Sequence, residues 1–517
     1  MTMTLPAAVA ETHSAVLFFV GDRAYKLKKP VDLGFLDFRS REAREAVCHR
    51  EVELNRRLAP DVYLGVADIT GPDGAPCDHV IVMRRLPDEQ RLTSLVRGSQ
   101  PVEDHLWHLS HLIAAFHARS PRSPQADRAA GAGATRARWD ANTTALHEMV
   151  GPIFDKADIA LVHGLACRYL DGRENLFEHR VADGRAVDGH GDLLADDIFC
   201  LDDGPRVLDC IEFDDNLRLG DGLADVAFLA MDLERIGRPD LSRYFLDSYR
   251  EHRGDAWPAS LAHHQIAYRA QVRAKVMGIR SEQGDEHAAS EARSLLELAA
   301  SHLERGRVRL VLVGGLPGTG KSTLAAGLAD ELDATALRSD ELRKELAGIQ
   351  PDRSTVLAFG EGIYSEVTTT RTYQTMLDRA RIALGMGETV VLDASWTSAA
   401  WRDKASVIAV ATSADLVELR CEASVATASQ RILRRAATGD DPSDATPEIA
   451  AAMSARAAPW PEATTIDTET TPAGAIAAAL RHAQHQTGTV DPVPVTDSPP
   501  LIPGATSRRV LIDGAGP

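Results

Sequence analysis

The sequence predicts two units of different fold class: a bilobal α+β domain, followed by an α/β domain with a doubly wound parallel sheet. The first prediction rests on short β-type runs near the start (AVLFFV, RAYKL, HVIVMRRL), which give way after residue 100 to long helical stretches. The second rests on an alternation of strands and helices through VRLVLVGG, STLAAGLADELD, TVVLDAS and DLVELRCE. The length of 517 residues suits two or three folding units.

Composition divides the chain into four segments. We expect the first domain over 1–282, a charged, Ala/Leu-rich helical linker over 283–305, the second domain over 306–485, and a Pro-rich disordered tail over 486–517. The Arg/Ala/Pro/Gly-rich stretch 120–135 is predicted to be a flexible loop inside the first domain.

Charge and cysteine usage narrow the functional classes. The formal net charge of −18 argues against a protein that coats nucleic acid, which would carry a net basic surface. The six cysteines are scattered without a C-x-x-C pair, as expected for reduced, buried thiols. The N-terminus lacks a basic region before its apolar stretch, and no apolar run approaches the ~18 residues that span a bilayer. We therefore expect a cytoplasmic protein without a membrane partner; its oligomeric state stays open.

A phosphate-binding motif opens the second domain. The pattern G-x-x-x-x-G-K-[ST] is matched by Gly315, Leu316, Pro317, Gly318, Thr319, Gly320, Lys321 and Ser322, with Thr323 next in the chain. Glycines let the backbone amides curl around phosphates, and the following helix adds the positive end of its dipole. Lys321 would reach the β and γ phosphates of ATP, and Ser322 would hold Mg²⁺.

Two carboxylates follow at the ends of later strands. Asp340, in Arg338-Ser339-Asp340, would accept or orient the proton of an acceptor hydroxyl, as a kinase requires. The alternative is that Ser339 and Asp340 only cap the helix ELRKEL. Asp393, at the end of VVLD, lies where ligands bind in open α/β sheets and is a candidate ligand for Mg²⁺.

An arginine-rich segment, SQRILRRAATGDDPSDA, has the composition of a mobile lid. Arg431, Arg434 and Arg435 would close over the transferring phosphate and exclude water. The alternative is a solvated helix face, and we do not expect all three arginines to touch phosphate. In the predicted mechanism Arg431 and Arg435 act with Lys321 and Asp340.

The motifs GLPGTGKST, SDELRKELAG, VVLDASW and the SDA of the lid resemble the P-loop kinase group that contains gluconate kinases, zeta toxins and polynucleotide-kinase phosphoryl domains. The resemblance covers about 305–485. It implies a P-loop NTPase fold that uses ATP and Mg²⁺ to phosphorylate an acceptor. It does not identify that acceptor, because members of the group act on sugars, nucleotide sugars, antibiotics or nucleic-acid ends.

A second kinase-like pattern lies upstream, in the region 185–235. His190-Gly191-Asp192 has the order of a kinase catalytic loop, in which Asp192 would accept the hydroxyl proton. Asp197, five residues on, stands where such loops place a metal-ligating Asn. VLDCIEF then offers Asp209 or Glu212 for Mg²⁺: side-chain identity favours Asp209, and spacing favours Glu212.

This region resembles the aminoglycoside phosphotransferase family, which has a protein-kinase-like fold, over roughly 13–282. RAYKLKKPV is similar to the strand that carries the family's ATP-binding lysine, with Lys26 as the first choice and Lys28 as the alternative. HREVELNRRL is similar to the helix whose glutamate pairs with that lysine, which points to Glu51. Because Asp197 replaces the family's Asn, the resemblance implies either a second kinase or a substrate-binding pseudokinase.

Together the two halves resemble a bacterial family that fuses an aminoglycoside-phosphotransferase-like domain to a P-loop kinase domain. We therefore predict an ATP-dependent phosphotransferase whose acceptor is a small molecule such as a sugar or an antibiotic. The alternative is a nucleotide-gated regulatory ATPase with a non-catalytic upstream module. A nucleic-acid-end kinase is disfavoured, since no basic, aromatic-interleaved segment lies beside the P-loop.

Overall fold

The structure is a computed structural model that describes residues 8–12, 14–32, 37–349, 363, 365–438 and 445–485. Its first part is an antiparallel sheet of order β1-β2-β3-β5-β4, packed against one helix. The elements of this lobe are Ala8–Glu11 (β1), Ala15–Val20 (β2), Arg23–Lys28 (β3), Arg41–Asn55 (α1), Tyr63–Thr70 (β4) and Pro76–Arg84 (β5). Side chains alternate across β3, so Ala24, Lys26 and Lys28 share its buried face.

The second lobe is helical, with two short β-ladders inserted. Its helices are Leu92–Arg97 (α2), Glu103–Ala118 (α3), Pro124–Ala130 (α4), Ala132–Glu148 (α5), Lys156–Asp171 (α6), Glu174–Ala182 (α7), Gly222–Arg235 (α8), Pro239–Arg253 (α9), Ala259–Glu282 (α10) and Ala288–Arg305 (α11). Ala186–Asp188 (β6) pairs with Leu219–Asp221 (β9), and Ile198–Leu201 (β7) pairs with Gly204–Val207 (β8). The two ladders bracket the segment that carries the His190-Gly191-Asp192 motif.

The prediction of a flexible loop over 120–135 was wrong, because most of this stretch is helical. Ser123 caps α4 by accepting a hydrogen bond from the backbone N–H of Ala126, and Pro124 occupies the first turn. The alanines that follow are strong helix formers. In this stretch a cap, a first-turn proline and alanine outweigh the glycines that suggested a loop.

The third part has a sheet of order β11-β12-β10-β13-β14 in which every neighbouring pair is parallel. Its strands are Arg309–Gly314 (β10), Thr335–Arg338 (β11), Val390–Asp393 (β12), Asp415–Glu422 (β13) and Thr464–Asp467 (β14). The helices between and after them are Lys321–Leu332 (α12), Ser339–Leu346 (α13), Glu366–Gly385 (α14), Ala399–Ala411 (α15), Val425–Thr438 (α16), Pro447–Arg456 (α17) and Pro472–His485 (α18). The predicted fold class is confirmed in both domains.

A continuous apolar core joins the helical lobe to the parallel sheet. One cluster of buried side chains includes Leu295 and Leu303 of α11 together with Leu310 and Leu312 of β10. The segment predicted as a linker is therefore a helix whose apolar face is buried. In the described part of the chain, no helix combines the length and the apolar character needed to cross a bilayer. The Pro-rich segment 486–517 lies outside the described residues.

Candidate active sites

The first candidate site lies between the two lobes of the kinase-like domain and is centred on Lys26. The Lys26 ammonium lies 2.8 Å from the Glu51 carboxylate and also pairs with Asp209. Glu51 is fully buried in α1, whereas 51% of the Asp209 side chain is exposed to the cleft. The partial loss of solvent in the cleft would by itself raise the pKa of Asp209, but the charge and hydrogen bond of the Lys26 ammonium lower it to about 2. The cleft therefore presents an ionised carboxylate beside a buried lysine.

Lys28 lies on the same face of β3 and makes a separate pair. Its ammonium is 2.6 Å from the second oxygen of Glu51 and 2.6 Å from Glu212. The Lys28 side chain is only 2% exposed, and that of Glu212 is 9% exposed. The two alternatives left open by the sequence thus occupy different environments: Lys26 and Asp209 face the cleft, and Lys28 and Glu212 form a buried ion pair behind it.

The loop that carries Asp192 is held by a carboxylate in the first turn of α8. Asp225 accepts hydrogen bonds from the backbone N–H of His190 at 2.9 Å and from that of Gly191 at 2.8 Å. Its Oδ2 atom also lies 3.0 Å from His117 Nε2. A Cβ atom at Gly189 would lie 2.6 Å from the Asp225 carboxyl group, so only glycine lets the loop approach this closely. The loop is fixed by buried contacts and not by its own sequence alone.

Three carboxylates of this domain influence one another across the cleft. Burial is the main reason that the pKa of Asp192 rises to about 6; Asp209 and Asp232 add to the rise, and Arg273 and Arg269 oppose it. Burial also raises the pKa of Asp197, with added repulsion from Asp209 and Asp192. Mg²⁺ prefers oxygen ligands such as carboxylates. Asp197 and Asp209 therefore fit a magnesium ion in their chemistry.

The second candidate site is the loop between β10 and α12. Gly315, Gly318 and Gly320 have φ angles of +132°, +81° and +86°. A Cβ atom at Gly315 would lie 2.7 Å from the carbonyl oxygen of Cys421, and one at Gly318 would overlap the backbone of Ala428. Pro317 and Thr319 are buried within the loop, and Thr323 is exposed on α12. The loop thus adopts a turn that side chains larger than glycine would obstruct.

Lys321 and Ser322 begin α12 and point toward the end of β12. Lys321 Nζ donates a hydrogen bond of 3.0 Å to the carbonyl oxygen of Leu316, across the loop. Burial raises the pKa of Asp393, while the charge of Lys321 and a hydrogen bond from the Ser322 hydroxyl limit the rise. A hydroxyl and a carboxylate in contact beside a phosphate-binding loop are hard oxygen donors, which fit Mg²⁺.

Asp340 lies in the first turn of α13, next to the same edge of the sheet. Its carboxylate accepts a hydrogen bond of 2.9 Å from Arg343 and is close enough to raise the pKa of Asp393. The residue at the N-cap of α13 is Arg338, and no side chain makes a capping hydrogen bond there. The alternative that Ser339 and Asp340 serve as caps is therefore not supported.

Arg431 of α16 contacts the phosphate-binding loop directly. One of its nitrogens lies 3.5 Å from the Gly318 carbonyl oxygen, and the other donates a 2.7 Å hydrogen bond to the Thr468 carbonyl. Arg434 is exposed and Arg435 is half-buried. Residues 439–444 of the predicted lid, with most of its SDA tripeptide, lie outside the described residues.

Sequence reasoning missed Thr468, which closes the loop from the other side. Its hydroxyl donates a 2.6 Å hydrogen bond to the Thr319 carbonyl, and Arg431 binds its backbone. Thr468 follows β14 within DTETTP, a run of polar residues after a strand that could have indicated a position at the ligand-binding edge. Nothing in its local sequence, however, points to the loop 150 residues earlier.

A cleft of about 620 Å³ opens beside Leu316 on this edge of the sheet. Its wall includes Trp396, Arg420, Glu422, Trp460 and Glu469. The cleft has the size of a small-molecule site and combines apolar walls with a few charged groups.

Comparisons with known sequences identify relatives over most of the chain. A family model described as an AAA domain (AAA_33) matches residues 310–460. The uncharacterized proteins Rv2004c of Mycobacterium tuberculosis and Mb2027c of Mycobacterium bovis are each 45% identical to this chain over 462 residues. These alignments cover 89% of this chain and 92% of each relative.

Similar solved structures fall into two groups. A choline kinase from Cryptosporidium parvum covers 58% of this chain and 90% of its own length, with 11% identity and a TM-score of 0.38. The aminoglycoside 2'-phosphotransferase-IIIa in its GDP complex covers 58% and 93%, with 15% identity and a TM-score of 0.36. A sugar kinase from a Janibacter species covers 34% and 94%, with 17% identity and a TM-score of 0.27.

Proposed function

We propose that this chain, which belongs to the same family as the uncharacterized mycobacterial protein Rv2004c, is an ATP-dependent phosphotransferase whose P-loop domain phosphorylates a hydroxyl of a small molecule. One observation carries the proposal: Lys321 and the contacting pair of Ser322 and Asp393 lie at one sheet edge, with Asp340 beside them. A nucleotide-binding loop alone is compatible with a switch. A carboxylate next to the magnesium ligands, with its own arginine partner, favours transfer to an acceptor.

ATP would bind with its phosphates in the turn formed by Gly315 to Gly320. The backbone amides of this turn and the N-terminus of α12 favour negative charge. Lys321 would exchange its contact with the Leu316 carbonyl for the β and γ phosphates. Ser322 and Asp393 would hold Mg²⁺, which when bound neutralises charge on the phosphates. Arg431 would cover the loop from α16.

The transfer step needs one proton acceptor. The oxygen of the acceptor hydroxyl attacks the γ-phosphorus, the bond from that phosphorus to the β–γ bridging oxygen breaks, and ADP leaves with the bond's electrons. The hydroxyl proton passes to the Asp340 carboxylate, whose orientation Arg343 fixes at 2.9 Å. The cleft beside Leu316, which Gly315 and Thr319 also line, has the volume to hold a small molecule next to the turn that would bind the phosphates.

The upstream domain is proposed to hold a second nucleotide. Lys26, paired with Glu51, would contact the α and β phosphates, and Asp209 with Asp197 would hold Mg²⁺. Asp192 would accept the proton of a second acceptor hydroxyl. A non-catalytic binding module is the alternative, and one observation favours it: the mutual repulsion of Asp192, Asp197 and Asp209 makes this site costly to charge.

The test is phosphorylated product, measured by mass spectrometry, from pure protein with ATP, Mg²⁺ and a panel of sugars, aminoglycosides and nucleosides. We expect Lys321→Ala to lower acceptor-dependent turnover by about a thousandfold. Asp340→Asn should lower the yield of the same phosphorylated product. Lys156→Ala, which alters an exposed lysine on α6, is the matched control.

In the same assay, Asp192→Ala distinguishes the activity of the upstream domain from that of the P-loop domain. Loss of a different product would assign a second catalytic site to the upstream domain. An unchanged product pattern would assign it a binding role. If no acceptor raises ATP turnover in the wild type, the phosphotransferase proposal fails and the nucleotide-gated regulator replaces it.

A further inference from the structure

Three arginines of the helical lobe have no carboxylate partner for an ion pair among the described residues. Arg138 comes from α5, and Arg269 and Arg273 lie one turn apart on α10. Across the described ranges, none of the three forms a salt bridge with a carboxylate. By contrast, Arg180 in the same lobe pairs with both Asp221 and Asp255. Partly buried cations without counter-charges are costly, so a group of three needs an explanation.

Neutral groups hold these arginines in place. Arg269 Nε donates to the Ala224 carbonyl at 2.8 Å, and its guanidinium lies over the Phe228 ring at 4.6 Å. Arg138 donates to the Ala129 carbonyl at 2.9 Å and to the Thr135 hydroxyl at 3.2 Å. Arg273 Nε is buried, and no group in the described residues accepts its hydrogen bond. Neutral groups therefore orient the arginines, and none of the three makes an ion pair among the described residues.

The cluster lies beside the helix that holds the predicted catalytic loop. Arg269 binds the carbonyl oxygen of Ala224, and the adjacent Asp225 accepts hydrogen bonds from the backbone of His190 and Gly191. The charges of Arg273 and Arg269 both favour the ionised form of Asp192, which places them within electrostatic range of its carboxylate. Arg138 and Arg269 in turn repel each other across α5 and α10, and burial lowers the pKa of Arg138. A ligand whose hydroxyl reached Asp192 would have this cationic group beside it.

We propose that Arg138, Arg269 and Arg273 bind an oxyanion, either a phosphate monoester or a carboxylate, on the molecule whose hydroxyl faces Asp192. The planar guanidinium fork matches both anions and makes charge-assisted hydrogen bonds with them. A cationic acceptor such as an aminoglycoside would be repelled from the same position. The inference rests on the proposed acceptor-facing role of Asp192, and it is independent of the chemistry of the P-loop domain.

The test measures binding of small anions by isothermal titration calorimetry to the full chain, with both nucleotide sites saturated by AMP-PNP and Mg²⁺. The probes are glycerol 3-phosphate, glycerate, glycerol and kanamycin. We expect at least one of the two anions to bind, while glycerol and kanamycin do not. Arg273→Gln should weaken that binding by about tenfold to a hundredfold, the usual effect of a lost hydrogen bond to a charged group.

Two further variants serve as controls for Arg273→Gln. Arg280→Gln alters an exposed arginine on the same helix that already pairs with Asp285, and it should bind the anion as the wild type does. Arg273→Lys keeps the charge and loses the fork, so it should recover part of the affinity. A preference for glycerol 3-phosphate over glycerate identifies the anion as a phosphate, and the reverse identifies a carboxylate.

Binding of the anion that Arg273→Gln leaves unchanged would overturn the proposal, as would binding of kanamycin in preference to both anions or the absence of any anion binding. An equal loss of AMP-PNP affinity in Arg273→Gln would also overturn it, because the arginines would then serve the nucleotide. None of these results bears on the function proposed for the P-loop domain, because Lys321→Ala tests that function through a different phosphorylated product.

Discussion

The two candidate sites are built from different parts of the polypeptide. The P-loop site is formed mainly by backbone atoms of one continuous turn, which is shaped by three glycines with positive φ angles. The upstream site is formed by side chains from five separate places in the chain, Lys26, Glu51, Asp192, Asp197 and Asp209, which ion pairs and buried hydrogen bonds bring together. Ligand binding at the P-loop site should therefore be sensitive to substitutions that add side-chain atoms, and the upstream site should be sensitive to substitutions that remove a charge.

The largest expected effect is on the upstream loop. Asp225→Asn would place an amide N–H against the backbone N–H of His190 or Gly191, which both donate to the carboxylate. Breaking a buried charged contact of this kind costs about 3–5 kcal/mol. We expect thermal denaturation to show a marked fall in Tm and calorimetry to show loss of nucleotide binding upstream. Unchanged stability would contradict the role given to Asp225; Asp247→Asn, on the exposed face of α9, is the control.

Replacing the two lysines of β3 one at a time should separate ligand binding from stability. Lys28→Met leaves the buried Glu212 without its cation, and we expect a loss of about 3 kcal/mol in the free energy of unfolding. Lys26→Met should instead lower nucleotide affinity by about tenfold, since Lys26 faces the cleft. Urea denaturation and nucleotide titration in a Lys321→Ala background measure the two effects. Equal effects of both variants on affinity would contradict the assignment.

The P-loop site should respond to a single added methyl group. In Gly318→Ala the new Cβ atom would overlap the Ala428 backbone and occupy a φ of +81°. A non-glycine residue in that region costs roughly 1–2 kcal/mol before the overlap is counted. We expect at least a tenfold loss of ATP affinity in this domain, measured by calorimetry. Gly348→Ala, at a positive φ with open space around it, is the matched control.

The smallest effect tests the crowding of carboxylates. Because burial and two neighbouring carboxylates raise the pKa of Asp197 above its unfolded value, its ionisation opposes folding at neutral pH. Asp197→Asn should therefore raise Tm at pH 7, with a gain of about 0.5–2 kcal/mol. The gain should shrink as the pH falls toward 4, because the carboxyl then becomes protonated in the unfolded chain as well. A lower Tm at pH 7 would contradict the repulsion; stabilisation by added Mg²⁺ should also be weaker in the variant.

The contrast between the sites explains what the sequence could predict. The P-loop motif is contiguous, and the strand–helix alternation of the sequence is enough to predict that it and Asp393 lie at one sheet edge. The pairing of Lys28 with Glu212 and the hydrogen bonds that Asp225 accepts from the loop that carries Asp192 depend on tertiary packing, so no local sequence pattern predicts them. Likewise, Thr468 reaches Thr319 only because β13 lies between β10 and β14. The prediction of a loop over 120–135 was wrong because the Ser123 cap and the alanines of this stretch favour a helix despite its glycines.

Asp415, at the start of β13, is bound from both sides of the predicted domain boundary. Arg168 of α6 lies 2.8 Å away and Arg307 lies 2.6 Å away, while Ser260 of α10 donates a 2.7 Å hydrogen bond to the Gly387 carbonyl. Because of these contacts and the shared apolar core, we expect a chain truncated near residue 305 to express poorly. Each half would expose to solvent an apolar surface that is buried in the full chain. The two halves have to be inherited together, and recombination that exchanged one of them would have to supply a matching surface on the other.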